Sequence, residues 1–374
     1  MKKLYYYMAA MAVCSLGLTS CSDDNSNDDY TPEDPTVSTG APRAFLLTQG
    51  HYTGIEGEFD VFDFSNSKLT AGAFQAANGQ KLGDTPQCGV AYGSKIYLGT
   101  FASNTVEIIN ASDYKSLKRI RLDDVKVNGK RPRSMVAYKG KVYISMYDGY
   151  VARLDTTTLA IEADVKVGPN PDIMALHKGK LYVPNTNGED YEYDPATGMT
   201  TYHFGNTASV VDLETFTVTK TFETPLNPSQ FVSDGENLVL LCCGDYGDIA
   251  SKVYRVNDDF SCTPLADATI ITAGNGNVYY INQPYKSDGI PEAEYRVCDI
   301  RTGNVSEWKV TPVDYASNIA YDGKHSKVII SSYILNGGWP AYDAPGYIQV
   351  YDAQKNTLQG KYNIGVGQPC IFFN

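Results

Sequence analysis

The sequence predicts an all-β fold, a seven-bladed β-propeller closed by pairing strands from the two chain ends within one blade. Three observations predict it. A strand–turn–strand phrase recurs along the chain, marked by Tyr97, Tyr143, Tyr182, Val239, Tyr279 and Ile329, at intervals of 39 to 57 residues. A four-stranded blade takes roughly 40–50 residues. The composition, with 33 Gly, 18 Pro and 29 Tyr, suits many short strands and tight turns rather than long helices.

The first 20 residues read as an export signal. Lys2 and Lys3 precede an apolar stretch, 4–18, which is too short for a typical membrane span. Leu18-Thr19-Ser20-Cys21 matches a lipobox, making Cys21 the expected lipidation site. Residues 21–42 follow as an acidic, Pro-containing tract that cannot bury a core and is expected to be a disordered tether. Residues 43–374 carry the propeller. The full chain has a formal net charge of −12. An acidic chain is poorly suited to coating nucleic-acid phosphates, so no nucleic-acid partner is expected.

Each repeat opens on a short apolar strand, often at an X-Pro step. Pro86-Gln87-Cys88-Gly89-Val90-Ala91-Tyr92 leads to Lys95-Ile96-Tyr97-Leu98. Pro132-Arg133-Ser134-Met135-Val136 leads to Lys141-Val142-Tyr143-Ile144, and Pro171-Asp172-Ile173-Met174 to Lys180-Leu181-Tyr182-Val183. Weaker copies begin at Phe231, Ile270 and Asn318. A third strand ends each unit in Asp or Asn, as at Asp63, Asn110, Asp155, Asp212, Asp299 and Asp352. Those side chains can hydrogen-bond their own turn backbone. Ala44-Phe45-Leu46-Leu47 reads as a second strand lacking its first, and Pro369-Cys370-Ile371-Phe372-Phe373 as a first lacking its second. Joined, they complete the seventh blade and leave no inner edge unpaired. Eight blades is the rival count, because the 57-residue unit has room for a partial blade.

In such a ring the loops leading into the inner strands and those between second and third strands share one face. That face collects aromatic residues and irregular insertions, and Tyr and Trp offer rigid apolar area with a polar tip. The expected ligand-binding residues are Tyr52, Phe101, Arg133, Tyr147, Asn170, Asn185, Tyr246, Tyr285, Tyr333 and Trp339. No catalytic residues and no metal ligands are expected. His51, His177, His203 and His325 are scattered, and no Gly-x-Ser-x-Gly elbow occurs. Residues 185–190 are only faintly like a calcium loop. Of the six cysteines in the folded part, Cys88 and Cys370 are the pair to test for a disulfide, with free buried thiols the alternative.

The phrases Asn78 to Gln87, Lys95-Ile96-Tyr97 and Asn104 to Asn110 resemble the YncE-like and surface-layer propellers of Bacteroidota. The Ser-Asp-Asp run after Cys21 is similar to the surface-export signal of lipoproteins from that group. The combination looks most like the BtuG family of cobalamin-binding surface lipoproteins. This resemblance implies a non-enzymatic outer-membrane lipoprotein, lipid-anchored and facing the cell exterior. It implies capture of cobalamin, as transported ligand rather than cofactor, and its passage to a TonB-dependent transporter. Alternatives are a surface propeller for a glycan, haem or protein partner, and a propeller hydrolase or lactonase.

Overall fold

The computed structural model describes residues 41–51, 54–284, 286 and 289–374. The expected signal, Cys21 and nearly all of the expected tether lie outside the described residues, as do Tyr52 and Tyr285.

Seven four-stranded antiparallel sheets form the body. Blade 1 runs Pro369–Phe373, Arg43–Thr48, Phe59–Asp63, Lys68–Thr70 from the axis outward. Its inner strand is the C-terminal one, with Leu46 facing Ile371 and Leu47 facing Cys370. The Asn374 side chain accepts the Arg43 amide at 2.6 Å, so the two chain ends are locked in one blade as expected. Blades 2 and 3 open on Pro86–Tyr92 and Pro132–Tyr138, blades 4 and 5 on Ala175–His177 and Pro228–Ser233, and blades 6 and 7 on Ile270–Gly274 and Tyr315–Asp322. The long fourth unit contains no eighth blade. Its extra residues form a two-stranded hairpin, Tyr191–Asp194 with Met199–Tyr202.

The core is a ring of clusters, each filled from the facing sheets of neighbouring blades. Phe45, Leu47 and Phe59 of blade 1 meet Ile96 and Leu98 of blade 2, and Val106 and Ile108 of blade 2 meet Ile144 and Leu154 of blade 3. This follows from strand alternation, because each sheet presents apolar side chains to both neighbours. Glycines set some of these spacings. A Cβ on Gly89 would lie 2.5 Å from the Phe372 ring, and one on Gly274 would lie 2.1 Å from the Tyr321 ring. The third-strand corners are Asx turns: Asp155 accepts the amides of Thr157 and Thr158, Asp212 those of Glu214 and Thr215, and Asp352 those of Gln354 and Lys355. Those backbone amides hold the Asp212 and Asp352 carboxyls below the usual range.

The six cysteines of the propeller are free. Cys88 packs in the core between blades 2 and 3, whereas Cys370 packs toward the core between blades 1 and 2. The two thiols are near enough that Cys370 disfavours the Cys88 thiolate, but both are free, so of the two alternatives read from sequence the structure has the free thiols and not the disulfide.

Candidate functional site

The backbone repeats a device where blades 2 to 5 begin. The residue before each proline, namely Thr85, Arg131, Asn170 and Asn227, has positive φ (53°, 62°, 44° and 59°). Its carbonyl accepts the amide of the residue just past the second strand: Phe101 at 2.8 Å, Tyr147 at 2.9 Å, Thr186 at 3.3 Å and Cys243 at 2.8 Å. These four positions are thus equivalent, and they share one rim of the ring. A non-glycine in this region is uncommon, and an arginine there marks strain. One step after the proline, the inner strand bulges in blades 2, 3 and 5, leaving Gln87, Arg133 and Ser229 unpaired in the ladder. Bulges re-aim side chains and concentrate beside binding sites.

Blades 2, 3 and 4 converge there in one network. Arg133 makes a bidentate pair with Asp172, at 2.8 and 3.1 Å. Burial works against the Arg133 charge, but Asp172 outweighs it and holds the guanidinium pKa above its ordinary value. Arg131 bonds Asp148 at 2.8 Å and forks onto Glu189 at 2.9 and 3.2 Å. The Tyr147 ring receives both guanidinium groups, Arg131 at 5.1 Å and Arg133 at 5.6 Å, and meets Phe101 edge-on at 5.5 Å. Asn170 donates to the Tyr147 carbonyl at 3.1 Å and accepts the Glu189 amide at 3.1 Å. With two guanidinium groups against three carboxylates, this corner concentrates no positive charge.

Phe101, Arg133, Tyr147 and Asn170 are therefore brought together, as the loop positions suggested. Asn185 is not beside them as a surface group. It is 1% exposed, accepts the Gly168 amide at 3.0 Å and donates to Thr207 and Ser209 at 3.2 and 3.1 Å. Its amide is used in holding the base of the blade 4 insertion. Tyr246 projects from blade 5 at 67% exposure. It ends an aromatic row in which Tyr191 meets Tyr202 at 5.7 Å, Tyr202 stacks on Phe204 at 5.2 Å and Phe204 meets Tyr246 edge-on at 5.6 Å.

Tyr333 and Trp339 stand apart, on blade 7. Tyr333 meets Tyr342 at 4.9 Å and Tyr315 at 6.4 Å, and burial pushes its phenol up to about 12. Trp339 is 46% exposed on a hairpin pairing Leu335 with Pro340 and Asn336 with Trp339. Among the described residues, the top face thus carries aromatic groups on blades 4 and 5 and on blade 7, with Phe101, Tyr147 and the charged network on blades 2 to 4. Arg131 and Glu189 were not singled out from sequence. The doubled cation in Arg131-Pro132-Arg133, straddling the proline that starts a blade, was the available signal. Among the described residues, no group of three His, Cys, Asp or Glu is placed to hold a metal ion. A cavity of about 390 Å³ lies away from this face, between the outer strands of blades 2 and 3, lined by Lys118, Ile120, Val125 and Ile161 among others.

No family model matches the chain. No curated protein matches it in sequence either. Solved structures do match in shape. Kuenenia stuttgartiensis hydrazine synthase aligns with a TM-score of 0.57 at 13% identity, over 75% of this chain and 87% of that one. The Neurospora crassa Pan2 WD40 domain aligns at 0.55 and 11%, over 79% and 86%. RRP9 WD40 repeats align at 0.52 and 9%, over 75% and 81%. At such identities the likeness shows the fold alone: a seven-bladed β-propeller.

Proposed function

We propose that this protein is a surface-exposed, lipid-anchored capture protein that binds cobalamin or a related corrinoid on the top face of its propeller. It then passes the ligand to a TonB-dependent outer-membrane transporter. The observation that carries the reading is the composition of that face. Two exposed aromatic groups accompany a mouth in which guanidinium, carboxylate and amide groups already satisfy one another. A wide, rigid ligand with apolar ring faces and an amide fringe matches such a surface, because stacking supplies area and the fringe supplies hydrogen bonds. The near-neutral corner suits a ligand without concentrated charge. Binding, not turnover, is the proposed activity, and release at the transporter requires a contact that favours the ligand-free state.

The test is equilibrium dialysis of the full chain against cyanocobalamin, followed by desalting and absorbance. Stoichiometric retention of the red chromophore is expected, and colourless protein at micromolar ligand overturns the reading. A second reading, a glycan-binding propeller, is supported by the exposed tyrosines Tyr191, Tyr202 and Tyr246, which pack in a row with the half-buried Phe204. Stacking of that row on a saccharide, without cobalamin retention, would favour it.

A further inference from the structure

The outermost strand of each blade has a sheet neighbour on one side only, so its far edge offers backbone N–H and C=O groups for pairing. Blade 2 differs from the rest in what flanks that edge. Its outer strand, Ser116–Arg121, carries Lys118, Arg119 and Arg121 and no carboxylate. The outer strands of the other six blades carry one lysine at most, and four of them carry acids. Such a strand stands out in a chain of net charge −12.

The register shows which groups face outward. Leu122 donates to the Asn104 carbonyl at 3.0 Å, and two residues earlier Ile120 lies opposite Val106. Hydrogen-bonded pairs alternate along an antiparallel ladder, so the main-chain groups of Ile120 and Leu122 turn inward and those of Arg119 and Arg121 turn out. The cavity of about 390 Å³ lies against this edge. Four consecutive residues, Lys118 to Arg121, line one side of it, and Ala160 and Ile161 of blade 3 line the other. Consecutive lining residues mean that the edge of the strand, and not one face alone, borders the space. Ile120 is 6% exposed and packs with the half-buried Val125 and Ile161, which gives the groove an apolar floor. The Arg119 guanidinium is taken up by the buried Glu107 carboxylate. Lys118 and Arg121 are exposed, and among the described residues neither has an ion-pair partner. Asp124 is the one carboxylate in the lining.

Charges on an edge strand can serve merely to keep other chains away. Either sign does that, and no groove is needed for it. We infer that the outer edge of blade 2 docks an acidic, extended segment of a partner protein, which adds to Ser116–Arg121 as a further strand. The outward main-chain groups of Arg119 and Arg121 supply the hydrogen bonds. Carboxylates of the segment meet Lys118 and Arg121, and an apolar side chain between them enters the groove over Ile120 and Ile161. The site lies on the side of the ring and does not depend on the top-face function proposed above.

Fluorescence anisotropy of the full chain with a labelled peptide of alternating Glu and Val tests it. A peptide of alternating Glu and Pro is the control, because it has the same charge but its prolines cannot donate to a strand edge. The Glu-Val peptide is expected to bind, more weakly as salt rises, and roughly tenfold or more tighter than the control. Hydrogen exchange across residues 116–121 should slow on its addition. Lys118→Glu combined with Arg121→Glu should weaken it by roughly tenfold or more and leave the melting temperature unchanged. Arg121→Pro deletes an outward N–H at a φ of −86°, close to proline's own range. It should bind about fivefold more weakly than Arg121→Ala, the equivalent of one net hydrogen bond. Equal affinity for the two peptides reduces the site to a patch for any polyanion and overturns the inference. Binding of dextran sulfate without binding of the Glu-Val peptide overturns it too, as does no peptide binding up to about 1 mM.

Discussion

Asp60 offers the sharpest quantitative test of this structure. It sits in the third strand of blade 1, is 0% exposed, and accepts the Gly72 amide at 2.9 Å and the Gly365 amide at 3.4 Å. It thereby ties the outer strand of blade 7 and the short helix Ala73–Asn78 to blade 1. Burial raises its carboxyl to about 6, and the neighbouring Glu58 charge adds to the rise, against the two backbone bonds that lower it. The folded value therefore exceeds the unfolded one of 3.8. The folded state holds this proton more tightly, so its contribution is fully present below about pH 4 and is lost as pH rises through about 6. Two pH units between folded and unfolded carboxyls correspond to about 3 kcal/mol. Asp60→Asn removes the charge and keeps an acceptor for Gly72, at the cost of turning an NH₂ toward Gly365. Urea denaturation of both proteins from pH 4 to 8 is the assay. The stability difference should shift in favour of the variant by about 3 kcal/mol between pH 4 and 6.5, then remain flat. Parallel profiles would refute the claim that a charged Asp60 is carried at neutral pH against a desolvation cost.

Other consequences are open to measurement. Gly274→Ala drives a methyl into the Tyr321 ring, which stacks on Tyr279 at 5.4 Å, and should cost about 1–3 kcal/mol in chemical denaturation. Truncation before Pro369 deletes the inner strand of blade 1 and exposes Phe45, Leu46 and Leu47, so it should abolish cooperative unfolding seen by circular dichroism. Trp339→Ala should weaken cyanocobalamin binding by at least tenfold while moving the melting temperature little, because the indole is largely solvent-facing; unchanged affinity in dialysis would take blade 7 out of the ligand face. Arg133→Gln leaves the Asp172 carboxylate without its bidentate partner and should destabilise by about 2 kcal/mol, less than a fully buried pair because the guanidinium is about a third exposed.

The ring was legible because its signals are local. Lys-apolar-Tyr after a turn and Asp or Asn at the third corner are fixed by strand alternation and turn chemistry, which act over a few residues. Ring closure was legible for the same reason, since Ala44-Phe45-Leu46-Leu47 and Cys370-Ile371-Phe372-Phe373 each lack a neighbour that the other supplies. The arrangement of the rim was legible by loop and not by atom. Phe101 and Tyr147 occupy equivalent places after their second strands, and the repeat located both. Asn185 begins its insertion at the rim while its own side chain turns into the sheet. Whether an Asn side chain faces out or in depends on partners such as Ser209, 24 residues away. Arg131 escaped notice because its partners, Asp148 and Glu189, lie in two other loops. The strand alignment placed Cys88 and Cys370 near one another but could not decide between a disulfide and two free thiols.

The seam between Arg43 and Asn374 bears on how the molecule is made. Synthesis delivers three strands of blade 1 before the other six blades and the fourth only after them. Until then the nascent polypeptide carries an apolar inner edge at Phe45 to Leu47 that nothing else in the chain covers. A product that lacks residues 369–373 therefore leaves blade 1 unfinished, with an exposed apolar edge that proteases can recognise. The architecture thereby makes the arrival of residues 369–373 a condition of folding.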